Sequence, residues 1–332
     1  MTSILVTGGA GYVGSVLVPR LLDQGHRVRV YDIGYYGFSG LPGHPDLEVI
    51  EGDIRETGEL ERAMQGIECV YNLACISNDP SCDLDEELSR TTNFECFEPM
   101  VVAAKRSGVK RFIHASSSSV YGVSDAPQVR EDHPLVPISL YNVYKGQCEP
   151  ILFEHGGDDF VCVAIRPATI CGYSPRQRLD LTVNILTAHA VNNRKILVFG
   201  GDQRRPNLHI QDMCALYELL LDCPAHLIAG EVFNASCQNH PVSEIAEIVK
   251  AVVEREFPEG GEIKIERSES DDPRSYHVNT DKLRDVLGFV PKHTVADAVK
   301  DLCDAFRAGA LPDSLTDDRY YNVRRMTAIG AS

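Results

Sequence analysis

The 332-residue chain has no tryptophan and only five methionines, and it is short of positive charge, with 32 Lys and Arg against 48 Asp and Glu. A net charge of −16 makes nucleic acid and anionic membrane surfaces poor partners, although a few local arginines can still hold a small anionic ligand. No apolar run reaches the roughly 18 residues a membrane helix needs. The N-terminus lacks a basic stretch leading into a long apolar one, so no secretory signal is expected and the cytoplasm is the expected location. The eleven cysteines are scattered, with no C-x-x-C pair and no zinc-like grouping. That spacing points to reduced thiols, without a disulfide framework or a metal site. Cys75 and Cys171 fall near candidate site segments but read as small buried hydrophobes. Internal repeats and low-complexity tracts are also absent.

What is present starts at once. Ile4-Leu5-Val6 is an apolar run, followed by Thr7-Gly8-Gly9-Ala10-Gly11-Tyr12-Val13-Gly14-Ser15. Val16, Leu17, Leu21 and Leu22 then recur at helical spacing before Gly25. Strand, glycine turn and helix in succession predict a dinucleotide site. The glycines permit a sharp turn and close backbone approach to a pyrophosphate, and the helix N-terminus offers free N–H groups. Gly8, Gly11, Tyr12, Val13 and Gly14 are the first candidate contacts. Residues 27–31 read as a second strand, ended by Asp32. A carboxylate there accepts hydrogen bonds from adenosine ribose and repels an added phosphate. With Ile33-Gly34-Tyr35-Tyr36 and no arginine just beyond, the expected cofactor is NAD rather than NADP.

Short strands are expected again at 47–50, 69–74, 111–115 and 160–165. Helices lie between them, at 59–64 and over 85–107, the latter kinked or divided by Pro99. Strands alternating with helices predict a parallel, doubly wound sheet with its ligand site at the C-terminal strand ends. Ser116-Ser117-Ser118-Ser119-Val120-Tyr121-Gly122 stands at one such end, and Tyr141-Asn142-Val143-Tyr144-Lys145 opens a later helix. A tyrosine and a lysine four apart share a helical face. An ammonium beside a phenol stabilises phenolate, so the tyrosine can act as a base below its usual value near about 10. It would remove a proton from a substrate hydroxyl as hydride leaves the attached carbon, with a serine hydroxyl sharing the transfer.

In this order, the Gly8-x-x-Gly11-x-x-Gly14 loop, Asp32, the serine-rich V-Y-G strand end and Y-x-x-x-K resemble the extended short-chain dehydrogenase/reductase family, in particular its UDP-glucose 4-epimerase-like group. The resemblance runs from the first strand to about residue 300. It implies a Rossmann-type α/β domain over 1–175, rejoined near 207–235, and a smaller C-terminal α/β substrate domain over 176–206 and 236–311. The remainder, 312–332, reads as a polar, loosely ordered tail. Further cofactor contacts are implied at Asp53, Ile54, Leu73, Ala74, Ser116 and Pro167, with Asn93 bracing the central strands. Tyr141 and Lys145 contact the cofactor as well as catalysing, with Ser117 assisting. Tyr121 and Tyr144 are competing phenols, and the motif register favours Tyr141.

The same resemblance implies a nucleotide-diphosphate sugar as substrate, epimerised at C4 through a transient 4-keto sugar. Dehydratases of the family carry Asp-Glu where Ser118 and Ser119 stand, and the 3,5-epimerase type carries a cysteine where Ser119 stands, so neither chemistry is expected. Candidate substrate contacts are Ser117, Ser118, Arg176, Arg178, Asn184, Arg205 and Arg274. Arg205, four before His209, matches the family's diphosphate arginine, for which a guanidinium fork is suited. Thr169 and Cys171 depart from the usual Asn and Tyr of the segment after Arg166-Pro167. A homodimer paired through the Y-x-x-x-K helix is also implied, with Pro150 expected to shorten that helix. Amphipathic helices at 241–257 and 295–306 and an edge strand at 262–266 complete the reading. The alternatives are a net 4-dehydrogenase or 4-ketoreductase with the same residues, or a silent nucleotide-sensing member, which would lack the tyrosine or lysine.

Overall fold

The computed structural model describes residues 1–124, 126–269 and 277–331. Arg274 lies outside the described residues. Six strands come first in the chain: β1 (Ser3–Thr7), β2 (Arg27–Asp32), β3 (Leu47–Glu51), β4 (Cys69–Asn72), β5 (Arg111–Ala115) and β6 (Val161–Pro167). The short β7 (Thr169–Cys171), β8 (Lys195–Phe199) and β9 (Arg204–His209) precede β10 (Glu231–Ala235), β11 (Gln238–Pro241) and β12 (Lys264–Ser268). Seven of them form one parallel sheet in the order β3-β2-β1-β4-β5-β6-β10.

The strand composition explains the layering. Successive side chains point to opposite faces, so Ile4 and Val6 serve one core and Leu5 the other. On the first face Leu17 and Leu21 of the helix Gly14–Asp23, with Met213, Leu216 and Leu220 of the helix Ile210–Asp222, pack on Val28, Val30 and Val163. On the second, the helices Thr57–Ala63, Phe97–Arg106 and Leu140–His155 cover Tyr31, Val70, Phe112 and Cys162. Burial on both faces is why β1, β4 and β6 read as continuous apolar runs without alternation. The strand order reverses between β1 and β4, which opens a crevice at their C-terminal ends.

β10, the seventh strand, was not legible: it has only five residues and carries Asn234 among its apolar positions. The smaller part of the molecule holds the sheets β11-β9-β7 and β12-β8. Its helices Thr182–Asn193, Val242–Glu256 and Val295–Arg307 share a core of Val183, Leu186, Ile245, Val249, Val252 and Val299. The edge strand is present but lies at β12, slightly later than expected.

Two proline expectations need correction. The break in the 85–107 segment is a π-helical turn, Thr91–Glu95, not Pro99. Pro99 sits in the first turn of Phe97–Arg106, where its missing N–H would have had no helical partner. Nor does Pro150 shorten its helix, which continues to His155. Pro150 is on the exposed side and has no N–H to give the Gly146 carbonyl, yet the helix runs on past it.

The 312–332 tail is the third correction. Asp318–Tyr320 forms a 3-10 turn and Asn322–Ile329 a helix. Leu179 N–H donates to the Tyr320 carbonyl at 2.9 Å, and Tyr321 is buried with Leu179 and Ala188. Apolar anchors spaced through a polar stretch are enough to fix it, although its composition reads as solvated. No described helix is long and apolar enough to cross a membrane. All eleven cysteines are free.

Candidate active site

A cleft of about 500 Å³ opens at the C-terminal ends of β1, β2, β4, β5 and β6. Gly8, Gly11, Tyr12, Val13 and Gly14 form its floor. Gly8 has φ +70°, and a Cβ there would lie 2.7 Å from the Ala74 backbone. A Cβ on Gly14 would lie 2.4 Å from the Gly9 carbonyl oxygen. These two glycines hold the turn tight and leave the helix N-terminus facing the cleft, with no acidic residue in its first turn to oppose an anion. Asp32 ends β2 and accepts hydrogen bonds from Ala10 N–H at 3.0 Å and Gly34 N–H at 2.9 Å. Burial raises its pKa, while those two N–H groups and Arg176 pull the other way. Asp53, Ile54, Leu73 and Ala74 line the same end, Asp53 held by the Arg55 guanidinium at 2.6 Å. A tight glycine cradle, a helix N-terminus and a carboxylate beyond it are the donor and acceptor set that a dinucleotide requires.

At the other end Ser116, Ser117 and Ser118 leave β5 beside Pro167 of β6. Ser139 caps the helix Leu140–His155 by accepting from Asn142 N–H at 3.4 Å, which aims Tyr141 and Lys145 inward. Lys145 Nζ donates to the Ala115 carbonyl at 2.6 Å and lies 6.0 Å from the Tyr141 ring centre. Ser117 and Ser119 share a hydrogen bond of 2.7 Å, and Ser119 donates on to the Asn142 side chain. Of the three candidate phenols only Tyr141 lies on the lining. Tyr121 Oη is spent on Asn234 and Arg166, and Tyr144 stacks on Phe94.

Burial pushes the Tyr141 phenol well above the ordinary value, the Cys75 and Cys82 thiols push the same way, and Arg178 is the cation that opposes them. Lys145 is turned to the Ala115 carbonyl, and Met326 packs in one cluster with Tyr141. In the cofactor-free cleft burial is thus the leading influence on this phenol, and it acts upward.

The substrate candidates divide. Arg176 is buried over the Tyr36 ring, 3.5 Å from its centre, and donates to Asn322 Oδ1 at 2.7 Å. Its Nε has no hydrogen-bond partner among the described residues, and burial lowers its pKa to about 10. Arg178 forks onto Asp180 at 2.9 and 3.2 Å and donates to Ser77 Oγ at 3.1 Å. Arg205 lies on the lining, where its guanidinium donates to the Arg204 carbonyl at 3.2 Å. Asn184 and Asn93 are off it. Asn184 donates to Tyr12 Oη at 3.0 Å, and Asn93 bonds both backbone groups of Ile76, at 2.8 and 3.0 Å. Both act from behind, as braces of lining residues.

Several lining residues went unread. Ser77, Asn78 and Asp79 follow β4, Tyr36 follows β2, and Asn322 and Met326 come from the C-terminal helix. Cys75, expected as a buried hydrophobe, is half-buried on the cleft wall. The one signal in the C-terminal stretch is Tyr321-Asn322 followed by Met326, a weak helical stripe. Among the described residues no group of His, Cys, Asp and Glu could hold a metal ion.

The cradle, the acid after β2 and the tyrosine–lysine pair define a dinucleotide-dependent enzyme of the short-chain type, and the model of the NAD-dependent epimerase/dehydratase family matches residues 4–236. The chain belongs to that family, and NAD is its cofactor. It is 32% identical over 236 residues to a 3 beta-hydroxysteroid dehydrogenase/Delta 5-->4-isomerase of Mycobacterium tuberculosis, a match covering 68% of this chain. The chain spans only 60% of that relative's length. It is 26% identical over 319 residues to a UDP-glucose 4-epimerase of Azospirillum brasilense, covering 89% of each. Among solved structures it resembles the UDP-glucuronic acid 4-epimerase of Bacillus cereus in complex with UDP-glucuronic acid and NAD. That likeness has a TM-score of 0.81 and 25% identity, over 92% of this chain and 99% of the other.

Proposed function

We propose that the protein is an NAD-dependent nucleotide-sugar epimerase acting at C4 through a transient 4-keto sugar. The observation that carries the reading is the layout of one cleft. Tyr141, Ser117 and Lys145 meet at the end where β5 stops, and Arg176, Arg178 and Arg205 line the same cavity as cationic groups suited to a diphosphate. Bound NAD supplies the acceptor, and later the donor, of hydride. Tyr141 takes the proton of the C4 hydroxyl as hydride leaves C4, and returns it to the C4 oxygen when hydride comes back to the opposite face of the keto sugar, which has turned about its diphosphate. Ser117 hydrogen-bonds the same oxygen, and its tie through Ser119 to Asn142 fixes its direction. Lys145, anchored on the Ala115 carbonyl at 2.6 Å, brings positive charge beneath the reacting end. Ser118 and Ser119 stand where an acid would be needed to eliminate water, so hydroxyl loss has no proton donor there. The same reading includes a homodimer paired through the helix bearing Tyr141, and a cytoplasmic location.

The second reading, net oxidation of a secondary alcohol with the same three residues, is favoured by the likeness to a hydroxysteroid dehydrogenase. Proton NMR of NAD-loaded protein, freed of excess cofactor and given a panel of nucleotide hexoses, separates the two. An epimer forming over many turnovers without NADH supports the epimerase. One keto product per NAD, with NADH accumulating, makes it a dehydrogenase.

A further inference from the structure

The helix Asn322–Ile329 lies against the cleft and is tied to three loops that converge there from distant parts of the chain. The backbone N–H of Asn322 donates to Asp180 Oδ2 at 3.1 Å, and its Oδ1 accepts from Arg176 at 2.7 Å. Its Nδ2 donates to the Ser77 carbonyl at 3.2 Å and to Ser77 Oγ at 3.1 Å. One buried side chain thus joins the loop after β4 to the loop after β7. Three residues on, Arg325 Nε donates to the Tyr35 carbonyl at 2.6 Å, in the loop after β2 at the adenosine end. Met326, 5% exposed, packs with Ile76, Cys82 and Leu88 in the cluster that includes Tyr141 at the reacting end. One short helix therefore touches both the loop after β2 and the cluster that includes Tyr141. Asn322 and Met326 are on the lining themselves.

We propose that this helix is a strap, with Asn322 as its positioning residue, which keeps NAD and the oxidised sugar in the cleft and so directs the reaction to epimerisation instead of net redox. The inference rests on the epimerase reading for its second half only. Once a 4-keto sugar exists, its fate is a ratio of rates: recapture of hydride on the other face, or escape of sugar and cofactor. The same three loops wall the cleft, and parting them widens the way out. Parting them breaks the Asn322 and Arg325 hydrogen bonds and exposes Met326. The Asn322 and Arg325 ties do not involve Tyr141 or Lys145, so loosening them acts on escape and not on the first proton transfer.

The test uses the full chain and three proteins: wild type, Asn322→Ala and Arg325→Ala. Each is loaded with NADH, cleared of excess by gel filtration and mixed with excess NAD, and NADH release is followed by its fluorescence. Loss of one buried, charge-assisted tie predicts release about tenfold faster in Asn322→Ala, and faster by a smaller factor in Arg325→Ala. With a nucleotide hexose, both variants are expected to give more keto product and free NADH per epimer than wild type. Wild-type release rates in both variants overturn the strap. Arg325 is half-exposed, so its variant keeps the test decisive should Asn322→Ala fold poorly. Faster release with no epimer from any of the three proteins removes the epimerase reading and leaves cofactor retention standing.

Discussion

Tyr141 shows what a motif conveys and what it omits. Its spacing from Lys145 was enough to single it out from Tyr121 and Tyr144, because a helical face is a local property. The balance between burial and charge at its phenol was not legible, since it depends on Met326, Ile76, Cys75 and Cys82, all remote in sequence. Replacing Tyr141 by Phe removes the proton acceptor and leaves the cradle intact, so turnover is expected to fall by about 10²–10⁴ while NADH still titrates to the same end point. The lack of tryptophan makes phenolate absorbance easy to follow. The wild-type minus Tyr141→Phe difference is expected to show a tyrosine ionising above about 10 in the cofactor-free protein. A transition below that value would mean that the lysine outweighs burial after all. The sign for stability follows: a phenol raised on folding contributes fully below the unfolded value and loses its contribution as pH rises through the folded one.

Elements were legible in proportion to how local their causes are. β1, β2 and β5 and the tyrosine helix follow from apolar runs and the spacing of the tyrosine and lysine, each contained within a few residues. The C-terminal helix follows from Asn322 meeting Ser77 and Arg176, which are 245 and 146 residues away in sequence, and no window along the chain can hold such a pair. Asp180 is the acceptor that fixes this helix from below, taking the Arg178 fork and the Asn322 N–H. Burial alone would raise its pKa, but Arg178 and that N–H hold it below the ordinary carboxylate value. Asp180→Asn leaves the Arg178 charge buried and unpaired, and a loss of about 3 kcal/mol is expected in urea unfolding. The folded pKa is depressed, so the ion-pair contribution is complete above the unfolded value of 3.8 and disappears as pH falls through the folded one. The gap between wild type and variant should therefore narrow below about pH 4. A gap that stays constant with pH would show that the pair does not contribute through charge.

At the scale of the whole molecule, the strands up to β6 and their parallel pairing were readable, because alternation of strand and helix dictates a parallel sheet, while their order in the sheet was not. The closing strand β10 and the cover of the cleft were not. Nine cysteines are buried, and Cys75 and Cys237 are half-buried. A thiol-disulfide exchange reagent should react quickly with two thiols in the native protein and with all eleven in denaturant. NADH loading should protect one of the two, since Cys75 lines the cleft and Cys237 does not. Loading that changes neither would place the cofactor away from the β4 end. The cleft's cover also has a place in time as well as in space. A chain made from its N-terminus at roughly 5–20 residues per second has all seven sheet strands in hand once β10 emerges, with Asn322 still to be synthesised. The nascent protein thus passes through a stage in which the glycine loop and all seven strands of the sheet have been made while the helix Asn322–Ile329 has not.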